Sequence, residues 1–204
     1  IRVLQVDADN WNENVPVNDS ISFASYLRIF IPFLMRDEYS RMLYLDADVF
    51  YRKGDLNRLL KLDLLGRPIG AVRDLCQLRH PNRESEDMKA FGLPFHKYFN
   101  AGVMLIDIKL WNEQGITEKS LKVMNDSPEK LLQHDQTTLN VVLRKNWAEM
   151  SMVWNYLHNY QTMYFAAMFD VCFHHFVGGR KPFNLKYGAF PRFVTEEYRI
   201  FFNK

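Results

Sequence analysis

Short apolar runs separated by helix-like stretches make up most of this chain, and that alternation limits the folds it can adopt. "RMLYL" (41–45), "PIGAVRD" (68–74), "NAGVMLIDI" (100–108) and "VCFHHF" (171–176) each read as a buried strand. "IRVLQV" at the start reads as another, with Arg2 and Gln5 interrupting its apolar face. From Ser22, the residues Phe23, Tyr26, Leu27 and Phe30 recur at helical spacing until Pro32, which bends or restarts that helix. Gly54-Asp55 reads as a turn plus N-cap for a short helix bearing Leu56, Leu59 and Leu60. Residues 75–84 read as polar loop, and "SEDMKAFG" as a short helix capped by Ser85 and stopped by Gly92. Further helices are expected near 116–125 and 135–144. Strands alternating with helices predict an α/β domain with a mixed, mostly parallel sheet flanked by helices.

The 204 residues fit one domain with a large core, and 48% hydrophobic with 25% charged residues excludes disorder. A net charge of +2 gives no basic field, so nucleic acid is not an expected partner. Cys76 and Cys172 alone suit a reducing compartment, which predicts a cytoplasmic location. No apolar run approaches the ~20 residues of a membrane span. The opening at Ile1, directly on a strand-like run, reads as the interior of something longer.

In parallel sheets ligands bind beyond the carboxyl ends of the strands. Asp46 and Asp48 follow one strand, Asp74 the next, and His174 and His175 the last, while Asn100 opens the intervening one. The Asp-Ala-Asp tripeptide occurs twice. Asp7 and Asp9 run into the polar "NWNENVPVND", which can hydrate them, and read as loop carboxylates or a helix-cap cluster. Asp46 and Asp48 lie between "RMLYL" and "VFY", and an extended backbone through them would point both to one side. A bare D-x-D is most often a solvated pair, but carboxylates among apolar residues need a partner or a metal. "HHFVGGRKPF" (174–183) supplies an imidazole, glycines that permit close backbone approach, and a lysine charge suited to phosphate. A lone histidine in an apolar strand is commonly structural. Carboxylates with one imidazole suit Mn2+ or Mg2+ rather than structural zinc.

In the order they occur, "ISFASYLRIFIP", "RMLYLDADVF", "GAVRD", "FNAGVMLIDIKLWNE", "HDQTTLN" and "HFVGGRKPF" resemble glycosyltransferase family 8. These are retaining nucleotide-sugar transferases of the GT-A fold, among them glycogenins and lipopolysaccharide glucosyl- and galactosyltransferases. The resemblance implies that residues 1–204 form one GT-A domain lacking its first strand and helix, with 184–204 as a C-terminal extension. It implies Asp46, Asp48 and His175 as metal ligands, with Gly178 and Lys181 at the diphosphate. Arg28 lies toward the donor, and Asp74, Asn100, Ala101, Asp135 and Gln136 surround the transferred sugar, the last two as catalytic candidates. Blander roles exist for several of these: Arg28 as a snorkelling surface residue, Asp135 as the N-cap of its helix, Asn100 as a turn residue, Asp74 as a loop carboxylate.

The implied reaction is Mn2+- or Mg2+-dependent transfer of glucose or galactose from a UDP-hexose to a hydroxyl of a carbohydrate or glycolipid, with retention. Two alternatives share the same letters. "DADVF" resembles the nucleophile motif of haloacid-dehalogenase-like phosphatases, although no late acidic pair accompanies it. A sugar-nucleotide-binding module without turnover is the other. The aromatic and basic tail "FNLKYGAFPRFVTEEYRIFFNK" reads either as a helix docked on the core or as a peripheral contact at the inner face of a membrane.

Overall fold

A computed structural model of the chain describes residues 23–159, 162–179, 181–182, 190 and 192–202. The strand expected at "IRVLQV" and the first Asp-Ala-Asp, with Asp7 and Asp9, lie outside the described residues.

A 3-10 turn over Phe23–Tyr26 leads into α1 (Leu27–Leu34), which contains Pro32 without ending there. β1 (Arg41–Leu45) follows, then β2 (Val49–Tyr51) and α2 (Leu56–Leu60), the latter capped by the Asp55 carboxylate as expected. β3 (Ile69–Arg73) leads into α3 (Leu75–Arg79), where the sequence reads as loop. Asp74 is its N-cap and accepts from the Cys76 amide. Next come α4 (Glu86–Ala90), β4 (Phe99–Asp107), α5 (Ile108–Glu113), α6 (Ile116–Asp126) and α7 (His134–Val142). Ser85 precedes α4 but makes no side-chain cap. β5 (Ala148–Glu149), β6 (Tyr156–His158), β7 (Phe173–Phe176) and α8 (Arg192–Phe202) complete the described elements.

The strands form a four-stranded sheet, ordered β1-β4-β3-β5, and a three-stranded sheet, ordered β2-β7-β6. Both are mixed. β3 runs parallel to β5 and β6 to β7, but β4 is antiparallel to both β1 and β3, and β2 is antiparallel to β7. The parallel share is therefore smaller than the alternation predicts. Its cause lies in residues 74–98. The five-residue helices α3 and α4 each span only ~7 Å, too short to carry the chain back along the sheet. The chain re-enters where β3 ended, and Arg73 pairs with Phe99.

That reversal positions the site. The carboxyl ends of β1 and β3 and the amino end of β4 now meet at one edge of the sheet. β4 is buried along almost its whole length, which explains its unbroken apolar sequence. One face packs Ala101, Met104 and Ile106 against Ile29, Phe30, Trp111 and Leu139 from α1, α5 and α7. The other packs Val103 and Leu105 against Leu59, Val72, Met150 and Phe173. The β3–β4 register breaks between Ala71, opposite Met104, and Val72, opposite Asn100. Such an irregularity re-aims neighbouring side chains, and here it falls at Ala101–Val103, beside the carboxylates.

α8 docks on this framework. Val194 is fully buried, Arg52 lies over the Phe193 ring, and Tyr198 meets Phe50. Among the described residues no helix is long and apolar enough to cross a membrane.

Candidate metal and donor site

β1 ends at Leu45, so Asp46 and Asp48 share a turn rather than a continuing strand. The Asp46 amide donates to the Gly102 carbonyl (2.8 Å), and the Val49 amide donates back to the Asp46 carbonyl (3.1 Å). β2 then pairs with β7, Val49 opposite His175, and the Phe176 amide donates to the Asp48 carbonyl (3.2 Å). This pairing brings an imidazole from late in the chain to the carboxylates. His175 Nε2 lies 3.3 Å from Asp48 Oδ1 and 3.9 Å from Asp46 Oδ2. His174 points to the opposite face of β7, where it stacks on His158 in the core, as period-two alternation requires.

Lys181 bonds the second Asp48 oxygen, Oδ2, and donates to the Phe176 carbonyl (2.6 Å). A Cβ built on Gly178 would meet nothing within 4 Å, so close approach is not what calls for a glycine there. Its φ of +79° is a left-handed backbone conformation that favours glycine.

Arg28 is not a surface residue. It is 8% exposed and holds four polar partners, one of them the Ser25 carbonyl, 3.1 Å from Nε. Nη2 meets Asp46 Oδ1 (2.8 Å), Nε meets Asp135 Oδ2 (2.8 Å), and Nη1 donates to the Ala101 carbonyl (2.8 Å). The guanidinium also lies over the Tyr44 ring, 4.9 Å from its centre, and the Tyr44 hydroxyl donates to Asp46 Oδ1 (2.9 Å). Burial pulls the guanidinium pKa down, but Asp135 and Asp46 outweigh it and hold it charged. For Asp135 burial dominates: despite Arg28, its carboxyl is pushed up to about 6. Asp135 lies inside the first turn of α7 rather than at its N-cap, where its carboxyl interacts with the backbone amides of Asp135 and Gln136; Gln133 precedes the helix without a side-chain cap. His134, at φ +49°, adopts the left-handed conformation immediately before Asp135 and Gln136.

Amides join the rest. Gln136 Oε1 accepts from the Ala101 amide (3.0 Å) and Asn100 Nδ2 (3.1 Å), and Gln136 Nε2 donates to Asp74 Oδ2 (3.3 Å). Asn100 Oδ1 accepts from the Gly102 amide (3.0 Å) and from Asn155 Nδ2 (2.9 Å), and Asn155 Oδ1 faces His175 Nδ1 (3.0 Å). Asn100 and Asp74 thus have defined partners, and every candidate residue except Gly178 is tied into one contiguous cluster.

Whether these residues suit a divalent ion can be tested on the geometry. Asp46, Asp48 and His175 each offer one ligand atom, all within 4.8 Å of one another. Ligands at right angles around an ion with ~2.1 Å bonds stand about 3 Å apart, so small inward shifts would satisfy it. Two carboxylates and an imidazole form a donor set for Mn2+ or Mg2+. The residues fit.

Burial alone would raise the Asp48 carboxyl, but hydrogen bonds and charge from Lys181 and from the doubly protonated form of His175 outweigh it and hold it at about 2, against 3.8 unperturbed. A carboxyl depressed by folding stabilises the protein above its unfolded value, and that contribution is lost as pH falls through the folded one. Without added metal, this group should cost on the order of 2 kcal/mol between about pH 4 and pH 2. Urea denaturation of wild type and Asp48→Asn should show the stability gap between them closing over that range.

Three participants were not read from the sequence. Gly102 lies directly beneath the site: a Cβ there would overlap His175 Cε1 and come within 2.8 Å of Asp46 Oδ2. A glycine inside an apolar strand signals such a close approach. Tyr44 and Asn155 carry no comparable sequence signal.

The profile of Glycosyl transferase family 8 matches residues 2–185. General stress protein A of Bacillus subtilis is 34% identical over 199 residues, covering 90% of this chain and 67% of that protein. Lipopolysaccharide 1,3-galactosyltransferase of Salmonella typhimurium is 28% identical over 186 residues, covering 88% of this chain and 54% of that protein. The chain thus spans between about half and two thirds of these relatives' lengths. Among solved structures, galactosyltransferase LgtC with donor and acceptor sugar analogs superposes with a TM-score of 0.77 at 24% identity, over 95% of this chain and 72% of that one. That likeness establishes a shared GT-A fold. The profile match decides against the phosphatase alternative.

Proposed function

The chain belongs to glycosyl transferase family 8, and from that premise we propose that it transfers glucose or galactose from a UDP-hexose to a hydroxyl of a carbohydrate or glycolipid, with retention. The observation that carries this reading is the meeting of Asp46, Asp48 and His175 beside Lys181, Arg28 and the amides of Asn100 and Gln136. The named activity of the Salmonella relative, a lipopolysaccharide galactosyltransferase, supports a hexose donor and a lipopolysaccharide-like acceptor.

When bound, a divalent ion supplies Lewis-acid stabilisation of the charge a departing nucleoside diphosphate acquires; Asp46, Asp48 and His175 would hold it. The chain's own groups do the rest. Lys181, already at Asp48, is a fixed positive charge for the diphosphate. Arg28 holds Asp46 and Asp135 in place and sets the Ala101 carbonyl. Asp74, Asn100, Ala101 and Asp135 line the edge where the hexose would be oriented.

Gln136 is a poor nucleophile on chemical grounds and on geometry. Its Oε1 already accepts from the Ala101 amide and Asn100, and its Nε2 is held by Asp74. Same-face attack is therefore the favoured route. The anomeric carbon–phosphate oxygen bond breaks, the acceptor oxygen bonds the same face, and its proton passes to the departing diphosphate oxygen.

A lipid-borne acceptor would bring the protein to the cytoplasmic face of a membrane, with residues 184–204 as the contact, and liposome sedimentation of the chain tests this. Turnover is tested by UDP release from UDP-galactose and UDP-glucose. Release should require Mn2+ or Mg2+ and cease on chelation. Release indifferent to chelation would refute the metal assignment, and binding without release would identify a module that has lost turnover.

A further inference from the structure

The direction of the amide hydrogen bonds around His175 is fixed by the backbone, and it determines which ring nitrogen carries a proton. Backbone N–H groups only donate. The Gly102 amide therefore identifies the Asn100 atom it meets as the oxygen, and the Ala101 amide does the same for Gln136. Asn155 meets that Asn100 oxygen at 2.9 Å and must present its NH2 there. Its own oxygen is then the atom 3.0 Å from His175 Nδ1. A carbonyl oxygen needs a donor, so the proton of the neutral ring resides on Nδ1. Nε2 is left with its lone pair toward Asp46 and Asp48.

A lone pair beside two carboxylates is an arrangement that favours a cation between them. Asn155 is completely buried, which keeps water from supplying an alternative partner. Its side chain cannot simply flip, because its oxygen would then face the Asn100 oxygen and its NH2 the His175 N–H.

From this geometry we infer that Asn155 is the positioning residue of the metal site: it locks His175 in the Nδ1–H tautomer, so that Nε2 is always the donor atom. The inference rests on the metal reading given above. The same amides continue through Asn100 and Gln136 to Asp74, so the hydrogen bond that sets the ligand also sets the groups expected around the hexose. Partners of this kind behind a ligating histidine change metal affinity by about 10–100-fold when removed.

Long-range 1H–15N correlation spectra of the metal-free protein read the tautomer of His175 directly. The wild type should show Nδ1–H. Asn155→Leu, close in size but without an acceptor, should lose that preference and bind Mn2+ about 10–100-fold more weakly by electron paramagnetic resonance. Asn155→Asp keeps an acceptor toward His175 and should keep the proton on Nδ1, but its second oxygen then faces the Asn100 oxygen, so its Mn2+ affinity should fall between those of Asn155→Leu and the wild type. An Nε2–H tautomer in the wild type overturns the inference without any variant, as does undiminished Mn2+ affinity in Asn155→Leu. A wild type that shows Nδ1–H but binds no Mn2+ refutes the metal reading instead.

Discussion

Gly102→Ala should abolish most metal-dependent UDP release while leaving the protein folded. The added Cβ would overlap His175 Cε1 and lie 2.8 Å from both Asp46 Oδ2 and His175 Nδ1. The backbone cannot yield easily, because the Gly102 amide and carbonyl are both engaged, by Asn100 and by the Asp46 amide. The imidazole must move instead, by on the order of 1 Å, and a displacement of that size at a reacting site costs about 100-fold or more. Stability should fall by only ~1–3 kcal/mol, the usual range for overpacking. UDP release and Mn2+ affinity measured beside urea denaturation separate the two effects. A Gly102→Ala protein with unchanged Mn2+ affinity would show that His175 is not a ligand.

Arg28→Ala should be the most destabilising single change in the site, at about 3–5 kcal/mol, because it strands buried carboxylates rather than merely removing a contact. Asp46 and Asp135 each lose a 2.8 Å partner, and the Ala101 carbonyl loses its donor. Burial already holds Asp135 at about 6 against the pull of Arg28, and without the guanidinium it must rise further. A carboxyl raised by folding destabilises at high pH and recovers as protons bind. Part of the loss should therefore be regained between about pH 7 and pH 5, a trend readable by urea denaturation at each pH. Arg28→Lys should fall between wild type and alanine, since one ammonium lacks the planar fork that reaches several acceptors. A loss below ~1 kcal/mol at pH 7 would mean the carboxylates are effectively solvated.

Much of this framework was legible from residue order. "RMLYL" is β1 to the residue, and Asp55 caps α2 as its position before Leu56 implies. The elements that escaped are short. β5 has two residues and β2 and β6 three each, too few for any period to register. α3, at five residues, left only its cap, Asp74, which reads equally well as a loop carboxylate. Strand direction was hidden for a different reason. Alternation records that helices intervene, whereas direction depends on whether they are long enough to return the chain.

At the site, residue types pointed to Asp46, Asp48 and His175, but not to how they meet. A turn, not strand alternation, brings the carboxylates together, and the β2–β7 pairing delivers the imidazole. The importance of Arg28 and Gln136 came through family resemblance, because neither spacing nor composition marks a buried arginine with four polar partners. Asn155 had no sequence signal at all, since its role exists only in hydrogen bonds to residues far away in the chain.

Diffraction at the manganese absorption edge, from crystals soaked with Mn2+ and UDP, addresses the site most directly. One anomalous peak is expected among Asp46, Asp48 and the Nε2 of His175, with diphosphate density reaching toward Lys181. A peak bonded through Nδ1, a peak elsewhere on the protein, or UDP ordered at this edge with no manganese beside it would contradict that arrangement.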